Sequence, residues 1–170
     1  MTQEIPIEIL GYIIEFSIGL AGFSGVIAVF KSRSQAKVDL DRWRIRNLLL
    51  FSMGPAFLCF IAIALLEITS SEVYAWRLAC IIQSLFLALL IVIVLKTKGN
   101  LTEAQSSQIN MPVMRAVLAI FPLISVVLFL TGLDILEFEA FLLFYVSLVL
   151  VLLAGVYQFF RAVLEGLEEP

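Results

Sequence analysis

The stretch Gly11–Phe30, GYIIEFSIGLAGFSGVIAVF, decides the fold, because its twenty residues include a single charged side chain, that of Glu15. A helix that crosses a bilayer needs about 20 mostly apolar residues. Wound at about 100° per residue, the stretch places its bulky side chains on one stripe and its small ones on two flanks. The bulky stripe contains Tyr12, Ile13, Phe16, Leu20, Phe23, Ile27 and Phe30; one small flank contains Gly11, Glu15, Gly19, Gly22 and Gly25, and the other contains Ala21, Ser24 and Ala28.

Small residues let helix backbones approach closely in lipid, where attraction between helices comes from packing and hydrogen bonds. Small side chains on two sides of a helix are therefore typical of a helix that lies inside a bundle, with neighbours on both sides. We predict that this helix is the hub of the protein, and that Gly19, Gly22, Ser24 and Gly25 are its packing residues.

The composition indicates an integral membrane protein. Of 170 residues, 62% are hydrophobic and 15% are charged, with a mean hydropathy of +1.07, whereas soluble proteins are about 45–50% apolar and about 25% charged. Lipid must therefore solvate much of this surface. A net charge of −3 without a basic domain argues against nucleic acid as a partner. The length predicts one domain, residues 1–170.

Five apolar segments are long enough to cross the bilayer: 9–30, 47–67, 74–95, 113–133 and 138–160. The acidic residues of Gly132–Glu139, with the turn-forming Gly132 and Asp134, predict a break between the last two. The predicted fold class is all-α: a polytopic transmembrane bundle of five spans, in which the hub helix is followed by two helical hairpins. Pro55 and Pro122 stand mid-span and predict kinks, which either serve packing alone or open cavities as in some transporters.

The basic residues predict the orientation of the chain. If five helices alternate, Arg77 falls on one side and ten basic residues fall on the other: Lys31, Arg33, Lys37, Arg42, Arg44, Arg46, Lys96, Lys98, Arg115 and Arg161. By the positive-inside rule, the N-terminus is outside and the C-terminus is cytoplasmic. The outer side then collects an acidic face, which includes Glu67, Glu72, Asp134, Glu137 and Glu139.

The run GLAGFSGVIAVF (19–30), followed by the basic segment DLDRWRIRNLL (39–49), is similar to small bacterial multi-span membrane proteins. The resemblance covers the first third of the chain, and no functional residue follows from it. We expect the protein to be located in the bacterial inner membrane. We interpret Trp43 and its neighbouring arginines as anchors at the level of the lipid headgroups. The conformation of this basic connection stays open.

Three polar side chains inside the spans are candidate sites. An ionisable residue in a span is a functional hypothesis by default, and Arg77 is the one basic residue on the side of Glu15. We predict a Glu15–Arg77 pair that orients the first helix against the third; the alternative makes Glu15 a cation or proton site in an outer vestibule. Gln83 is the deepest strongly polar side chain, and we expect it to bind across helices rather than to hold a substrate. The face Cys80, Gln83, Ser84 and Ala88 is expected to meet the face Ser52, Ala56, Cys59 and Ala62 of the second helix.

The sequence contains no histidine, which removes the commonest metal ligand and general base. Histidine-based haem or zinc sites and Ser-His-Asp chemistry are excluded for this chain alone. Cys59 and Cys80 lie in apolar runs, and we expect them to be packing residues rather than redox groups. We therefore predict no catalytic, cofactor or metal site, and a protein that is not an enzyme.

Two functions stay open at this level. The first is an assembly or accessory subunit that self-associates or packs against another membrane protein, and the small flanks and the lack of deep charge favour it. The second is an oligomeric channel or small transporter, which is favoured by the kinked helices and by an acidic outer face that would attract cations. The expected partners are the lipid bilayer and either further copies of the chain or another membrane protein.

Overall fold

The computed structural model describes residues 4–31, 38–99 and 111–167, and nearly all of them are helical. Five helices follow one another: α1 (Glu4–Lys31), α2 (Val38–Ile68), α3 (Glu72–Lys98), α4 (Met111–Gly132) and α5 (Ala140–Leu167). No strand occurs within these three ranges. Each helix contains a segment that is long and apolar enough to cross a membrane. The all-helical fold with five candidate spans is therefore confirmed, and the orientation of the termini remains a prediction.

The two ends of the bundle differ in charge. One cavity joins the starts of α2 and α4 to the ends of α3 and α5, and another joins the starts of α1, α3 and α5. Successive helices therefore alternate in direction. We call the two ends the acidic end, which carries Glu67, Glu72, Asp134, Glu137 and Glu139, and the basic end, which carries Arg42, Arg44, Arg46, Lys96, Lys98, Arg115 and Arg161.

α2, rather than α1, has the most extensive contacts within the bundle. α1 packs mainly against α2 and, less closely, against α5, whereas α2 packs closely against α1, α3 and α5. Half of the most apolar stretch of α2 is buried, compared with a third of that of α1. The prediction that the first helix is the hub is therefore wrong. Its bulky stripe divides, because Ile13 and Leu20 are buried while Tyr12, Phe16 and Phe23 are exposed.

α1 packs through a narrow seam with the spacing of a heptad repeat. Its buried side chains follow at intervals of three and four residues: Pro6, Leu10, Ile13, Ser17, Leu20 and Ser24. This spacing keeps one face of a helix toward its neighbours. The hub prediction failed because it assigned the glycine flank to a neighbouring helix, whereas the contact within the chain uses the serines and the aliphatic residues.

α4 packs much more closely with α3 than with α5. The predicted hairpin of the last two helices is therefore a weaker contact than the one between α3 and α4. Gly132 permits this approach. A Cβ atom built at Gly132 would lie 2.9 Å from the carbonyl oxygen of Arg77 and would overlap the side chain of Ile81. Because any larger residue would push the two backbones apart, the glycine fixes where α4 crosses α3.

The break between the fourth and fifth spans lies where the sequence predicts it. α4 ends in a Schellman turn, in which the N–H of Ile135 donates to the carbonyl of Leu130 at 3.0 Å and the N–H of Asp134 donates to that of Thr131 at 3.0 Å. Asp134 takes the left-handed backbone at φ 63°, a conformation that aspartate tolerates better than most residues. The turn therefore depends on the aspartate, and the preceding glycine serves close packing.

α2 begins at Val38, nine residues before the predicted start of the span at 47, so much of the basic connection continues the helix. Residues 32–37 of that connection lie outside the described residues. Trp43, Asn47 and Phe51 follow one another by one helical turn, and all three are buried. Trp43 therefore does not project outward among the headgroups, because its ring packs inside the bundle, and its position at the level of the headgroups stays a prediction.

Candidate functional site

The face of α1 opposite its packed seam is lined with small residues and is open. We call this surface the outward face; it comprises Gly11, Glu15, Ile18, Gly19, Gly22 and Gly25. A Cβ atom built at any of its four glycines would meet no atom within 4 Å. The glycines therefore pack against nothing in the described part of the chain, and their role in packing against another chain stays a prediction. Ser24 differs, because it is buried in the seam and donates to the carbonyl of Leu20 at 2.6 Å.

Glu15 lies in the middle of the outward face. It follows the start of the span Pro6–Val26 by nine residues, which places it about 14 Å along the helix at 1.5 Å per residue. Its side chain is exposed, and it has no hydrogen bond or ion pair with a described residue. Charged groups within spans normally face the interior of a bundle or a water-filled cavity. An exposed carboxylate in a candidate span, without a partner among the described residues, is therefore an unsatisfied group.

The predicted Glu15–Arg77 pair is wrong. The guanidinium of Arg77 binds the carboxylate of Asp134 instead, and α1 has at most marginal contact with α3. The reason is the close approach of α4. Because Gly132 rests against the backbone of Arg77, the turn that follows brings Asp134 within reach of the guanidinium. The pair thus joins α3 to the turn that follows α4. Glu15 has no hydrogen-bond or ion-pair partner among the described residues.

The acidic end combines exposed carboxylates with an open groove. Glu67, Asp134, Glu137 and Glu139 are exposed, while Glu72 is half-buried and accepts a hydrogen bond from the indole of Trp76 at 3.3 Å. The groove has a volume of about 340 Å³, and its walls include Glu72, Arg77 and Glu139. Within the described residues, no three acidic or cysteine side chains converge as the ligands of a metal ion would. The surface is therefore acidic and accessible, without the geometry of a formed cation site.

The polar face of α3 forms its hydrogen bonds with α4 and α5 rather than with α2. The hydroxyl oxygens of Ser84 and Ser125 lie 3.2 Å apart, and the Ser125 hydroxyl donates to the carbonyl of Ser84 at 2.9 Å. The thiol of Cys80 donates to the carbonyl of Ala140, at the start of α5, at 3.3 Å. Ala88 is exposed. The hydrogen bonds of this face therefore join α3 to α4 and α5, and its contact with the polar face of α2 stays a prediction. On α2 itself, Ser52, Ala56, Cys59 and Ala62 are all buried.

Gln83 is fully buried in the middle of α3. Neither its amide nitrogen nor its amide oxygen has a hydrogen-bond partner among the described residues. The predicted bond across helices is thus not formed with any of them. Gln83 also lines neither the groove at the acidic end nor the cavity at the basic end. It is a polar group enclosed in the core, apart from these two cavities.

Both mid-span prolines lie inside helices, Pro55 in α2 and Pro122 in α4. A proline leaves the carbonyl four residues earlier without its helical bond, which for Pro55 is the carbonyl of Phe51. At Gly155 of α5, a Cβ atom would lie 3.4 Å from the carbonyl carbon of Phe51. α5 therefore packs directly against the part of α2 that the proline loosens. This arrangement fits a packing role for Pro55.

No family model, curated protein or solved structure matches this chain. The assignment to small integral membrane proteins therefore depends on the five apolar helices alone.

Sequence reasoning missed two residues that the structure makes prominent, Ser125 and Asn47. A signal for Ser125 exists, because it is the one polar side chain between Arg115 and Thr131. A weaker signal exists for Asn47, which follows Trp43 by one helical turn and so shares its face. That signal is visible only if the chain is already helical before residue 47, where the predicted span begins.

Proposed function

We propose that this small integral membrane protein is an assembly or accessory subunit, and that the outward face of α1 packs against a helix of another membrane protein. The observation that carries the proposal is the open glycine surface around Glu15. Gly11, Gly22 and Gly25 leave space for a second helix backbone to approach closely. Helix association in lipid depends on such small residues, because lipid tails are as apolar as the helices themselves.

Glu15 indicates the chemistry of the partner. An ionisable group in a span is stabilised by a group of opposite charge or by a hydrogen-bond donor. Within the described chain, Arg77 is already bound to Asp134. A second copy of the chain, docked by the same face, would bring two Glu15 carboxylates together. We therefore expect a different membrane protein, whose helix carries a lysine, an arginine or an amide side chain at the level of Glu15.

The alternative function, an oligomeric channel or small transporter with an acidic vestibule, has less support. Two acidic residues of the proposed vestibule are engaged within the chain, since Glu72 binds Trp76 and Asp134 binds Arg77. The deepest strongly polar side chain, Gln83, does not line either of the two cavities described above. An oligomer would have to build the pathway between copies rather than within one bundle.

Site-specific photo-crosslinking in the native membrane tests the proposal. The photoreactive residue replaces Ile18, which is 52% exposed beside Glu15, or, as a matched control, Leu89 of α3, which is 57% exposed. We expect the probe at position 18 to capture one protein partner and the probe at position 89 to capture lipid. Gly22→Leu in the same chain should abolish the protein adduct, because leucine fills the open surface, and Glu15→Gln should weaken it several-fold.

Adducts with lipid alone from position 18 would contradict the proposal. An adduct with twice the mass of the chain would show self-association in place of a different partner. A protein adduct that persists unchanged in the Gly22→Leu chain would show that the contact does not use the glycines, and the proposed docking face would then be wrong.

A further inference from the structure

A cavity of about 80 Å³ lies at the basic end, between α2, α4 and α5, and touches the last turns of α3. One water needs about 10–15 Å³ on this measure of volume, so the cavity has room for several waters or for one compact polar group. Its polar wall is formed by Trp43, Arg44, Asn47, Gln158 and Arg161. None of these residues belongs to the outward face of α1, so the cavity is a separate feature of the molecule.

Two buried side chains of this wall have hydrogen-bonding atoms without partners. Asn47 is 1% exposed and Trp43 is 6% exposed. Neither the amide of Asn47 nor the indole N–H of Trp43 has a hydrogen-bond partner among the described residues. Because buried polar groups in proteins are almost always hydrogen-bonded, these two N–H groups, one helical turn apart, indicate a ligand that accepts hydrogen bonds, while the amide oxygen of Asn47, which also has no partner among the described residues, requires a donor from the ligand or from water.

The charge of the wall selects an anion. Arg44 and Arg161 both line the cavity, and no acidic residue does. Each arginine also interacts with other groups, and each still contributes a positive charge to the wall. Guanidinium groups match the planar, multi-oxygen geometry of phosphate and carboxylate. The acceptor expected opposite Asn47 and Trp43 is therefore an anionic oxygen.

The inner part of the cavity is apolar. Phe51, Val94 and Met114 line it beyond the polar wall. The cavity lies at the ends of the spans, where the headgroups of lipids meet their hydrocarbon chains. A ligand that satisfies both parts of the wall carries an anionic group joined to hydrocarbon, and basic pockets between membrane helices are suited to such headgroups.

We propose that the cavity binds the phosphate of an anionic membrane lipid. Asn47 and Trp43 donate hydrogen bonds to the phosphate oxygens, and Arg44 and Arg161 supply the opposite charge. The glycerol and the first carbons of the acyl chains lie against Phe51 and its apolar neighbours. A free phosphate ion offers the same oxygens without the hydrocarbon, and the experiment below separates these two sources.

Quenching of tryptophan fluorescence by brominated lipid tests the proposal directly. The chain has two tryptophans, so Trp76→Phe leaves Trp43 as the sole fluorophore, inside the cavity. The protein is placed in discs of phosphatidylcholine that contain a small, fixed fraction of brominated phosphatidylglycerol or, separately, of brominated phosphatidylcholine. We expect brominated phosphatidylglycerol to quench Trp43 several-fold more strongly, because only a lipid held at the site reaches the buried ring.

Three variants in the Trp76→Phe chain identify the binding groups. Arg161→Gln should reduce the preference for brominated phosphatidylglycerol about tenfold, and Arg161→Lys should retain most of it, since the charge remains. Asn47→Leu should also reduce the preference for brominated phosphatidylglycerol, although it leaves the charge of the cavity wall unchanged. Arg161 is only half-buried near the end of α5, so its variants probe the site even if the buried Asn47 variant unfolds. As a control, Trp43→Phe leaves Trp76 at the acidic end, where the two brominated lipids should quench equally.

Equal quenching of Trp43 by the two brominated lipids would overturn the proposal. So would a preference that is unchanged in both Arg161→Gln and Asn47→Leu. Inorganic phosphate added at millimolar concentration should leave the quenching intact, because it lacks the hydrocarbon that the floor of the cavity contacts. Reversal of the quenching by inorganic phosphate would show that the site takes the free ion, and the lipid would then be the wrong source.

Discussion

The contact between α3 and α4 and the outward face of α1 both contain glycine and a charged side chain, but in opposite states. Between α3 and α4, Gly132 lies against a neighbouring backbone, the serines hydrogen-bond across the helices, and Arg77 binds Asp134. On α1, a Cβ atom built at Gly22 would have no atom within 4 Å, and Glu15 has no hydrogen-bond or ion-pair partner among the described residues. The first region is a completed helix contact, and the second has the composition of one without the neighbour.

The difference teaches how small residues in a membrane helix should be interpreted. A glycine gives a helix no stability of its own and weakens it relative to alanine. Its presence in a span is explained when another backbone lies close, as at Gly132. Where four glycines and a carboxylate share one face with no described residue against it, we propose that the explanation lies in another chain.

The largest expected effect is that of Gly132→Ala. Its new methyl group would lie 2.9 Å from the carbonyl oxygen of Arg77, so the two backbones must separate, and overpacking of this kind costs about 1–3 kcal/mol. The measurement is the free energy of unfolding in mixed micelles titrated with sodium dodecyl sulfate.

Gly22→Ala is the matched control for this substitution, since both glycines are helical and gain the same propensity from alanine. Gly22 faces open space, so its variant should be no less stable than the parent in the monomeric state, with a gain of up to about 1 kcal/mol from the helix propensity of alanine. Equal losses from the two substitutions would mean that the outward face of α1 is packed within the chain, and the comparison would fail.

The next effect concerns the hydroxyls of the α3–α4 contact. Ser125 donates to the carbonyl of Ser84 and accepts from its hydroxyl, so Ser125→Ala removes two bonds and Ser84→Ala removes one. Hydrogen bonds between membrane helices contribute on average about 0.6 kcal/mol each, and at most about 1.7. In the same unfolding titration, Ser125→Ala should therefore destabilise the protein more than Ser84→Ala.

Ser52→Ala is the control for the hydroxyl series. Ser52 is buried like the other two serines, but its hydroxyl donates to the carbonyl of Leu48 in its own helix at 2.8 Å. Removing it should change the free energy of unfolding little, because no contact between helices is lost. If Ser84→Ala proves more damaging than Ser125→Ala, the direction of the hydrogen bonds is wrong.

The number and order of the helices could be predicted from the sequence, because lipid imposes a simple requirement on each span. Each span must satisfy its backbone internally, so length and hydropathy suffice to locate five helices. The turn at Asp134 was equally accessible, since a short acidic segment cannot continue through the hydrocarbon. The arrangement of the helices was not accessible, because a glycine flank is compatible both with a neighbour in the same chain and with one in another chain.

The candidate sites were predicted less well, and each failure has a physical reason. The Glu15–Arg77 pair follows from charge and depth alone, but the choice between Glu15 and Asp134 depends on how closely α4 approaches α3 at Gly132. The cavity around Asn47 depends on α2 starting at Val38, which the mixed charges of the connection conceal. Pairing and cavities are set by distances between helices, and a single sequence does not encode those distances in any local pattern.

The smallest expected effect is the coupling energy between Arg77 and Asp134. It distinguishes this observed ion pair from the predicted Glu15–Arg77 pair. The side chains of Arg77 and Asp134 are 28% and 58% exposed, and exposed pairs contribute about 0.2–1 kcal/mol. In a double-mutant cycle, Arg77→Gln and Asp134→Asn should therefore show a coupling of that size. Arg77→Gln and Glu15→Gln should be additive, because the two groups share no partner. A coupling between Glu15 and Arg77 as large as that between Arg77 and Asp134 would place α1 against α3, and Glu15 would then need no partner from another chain.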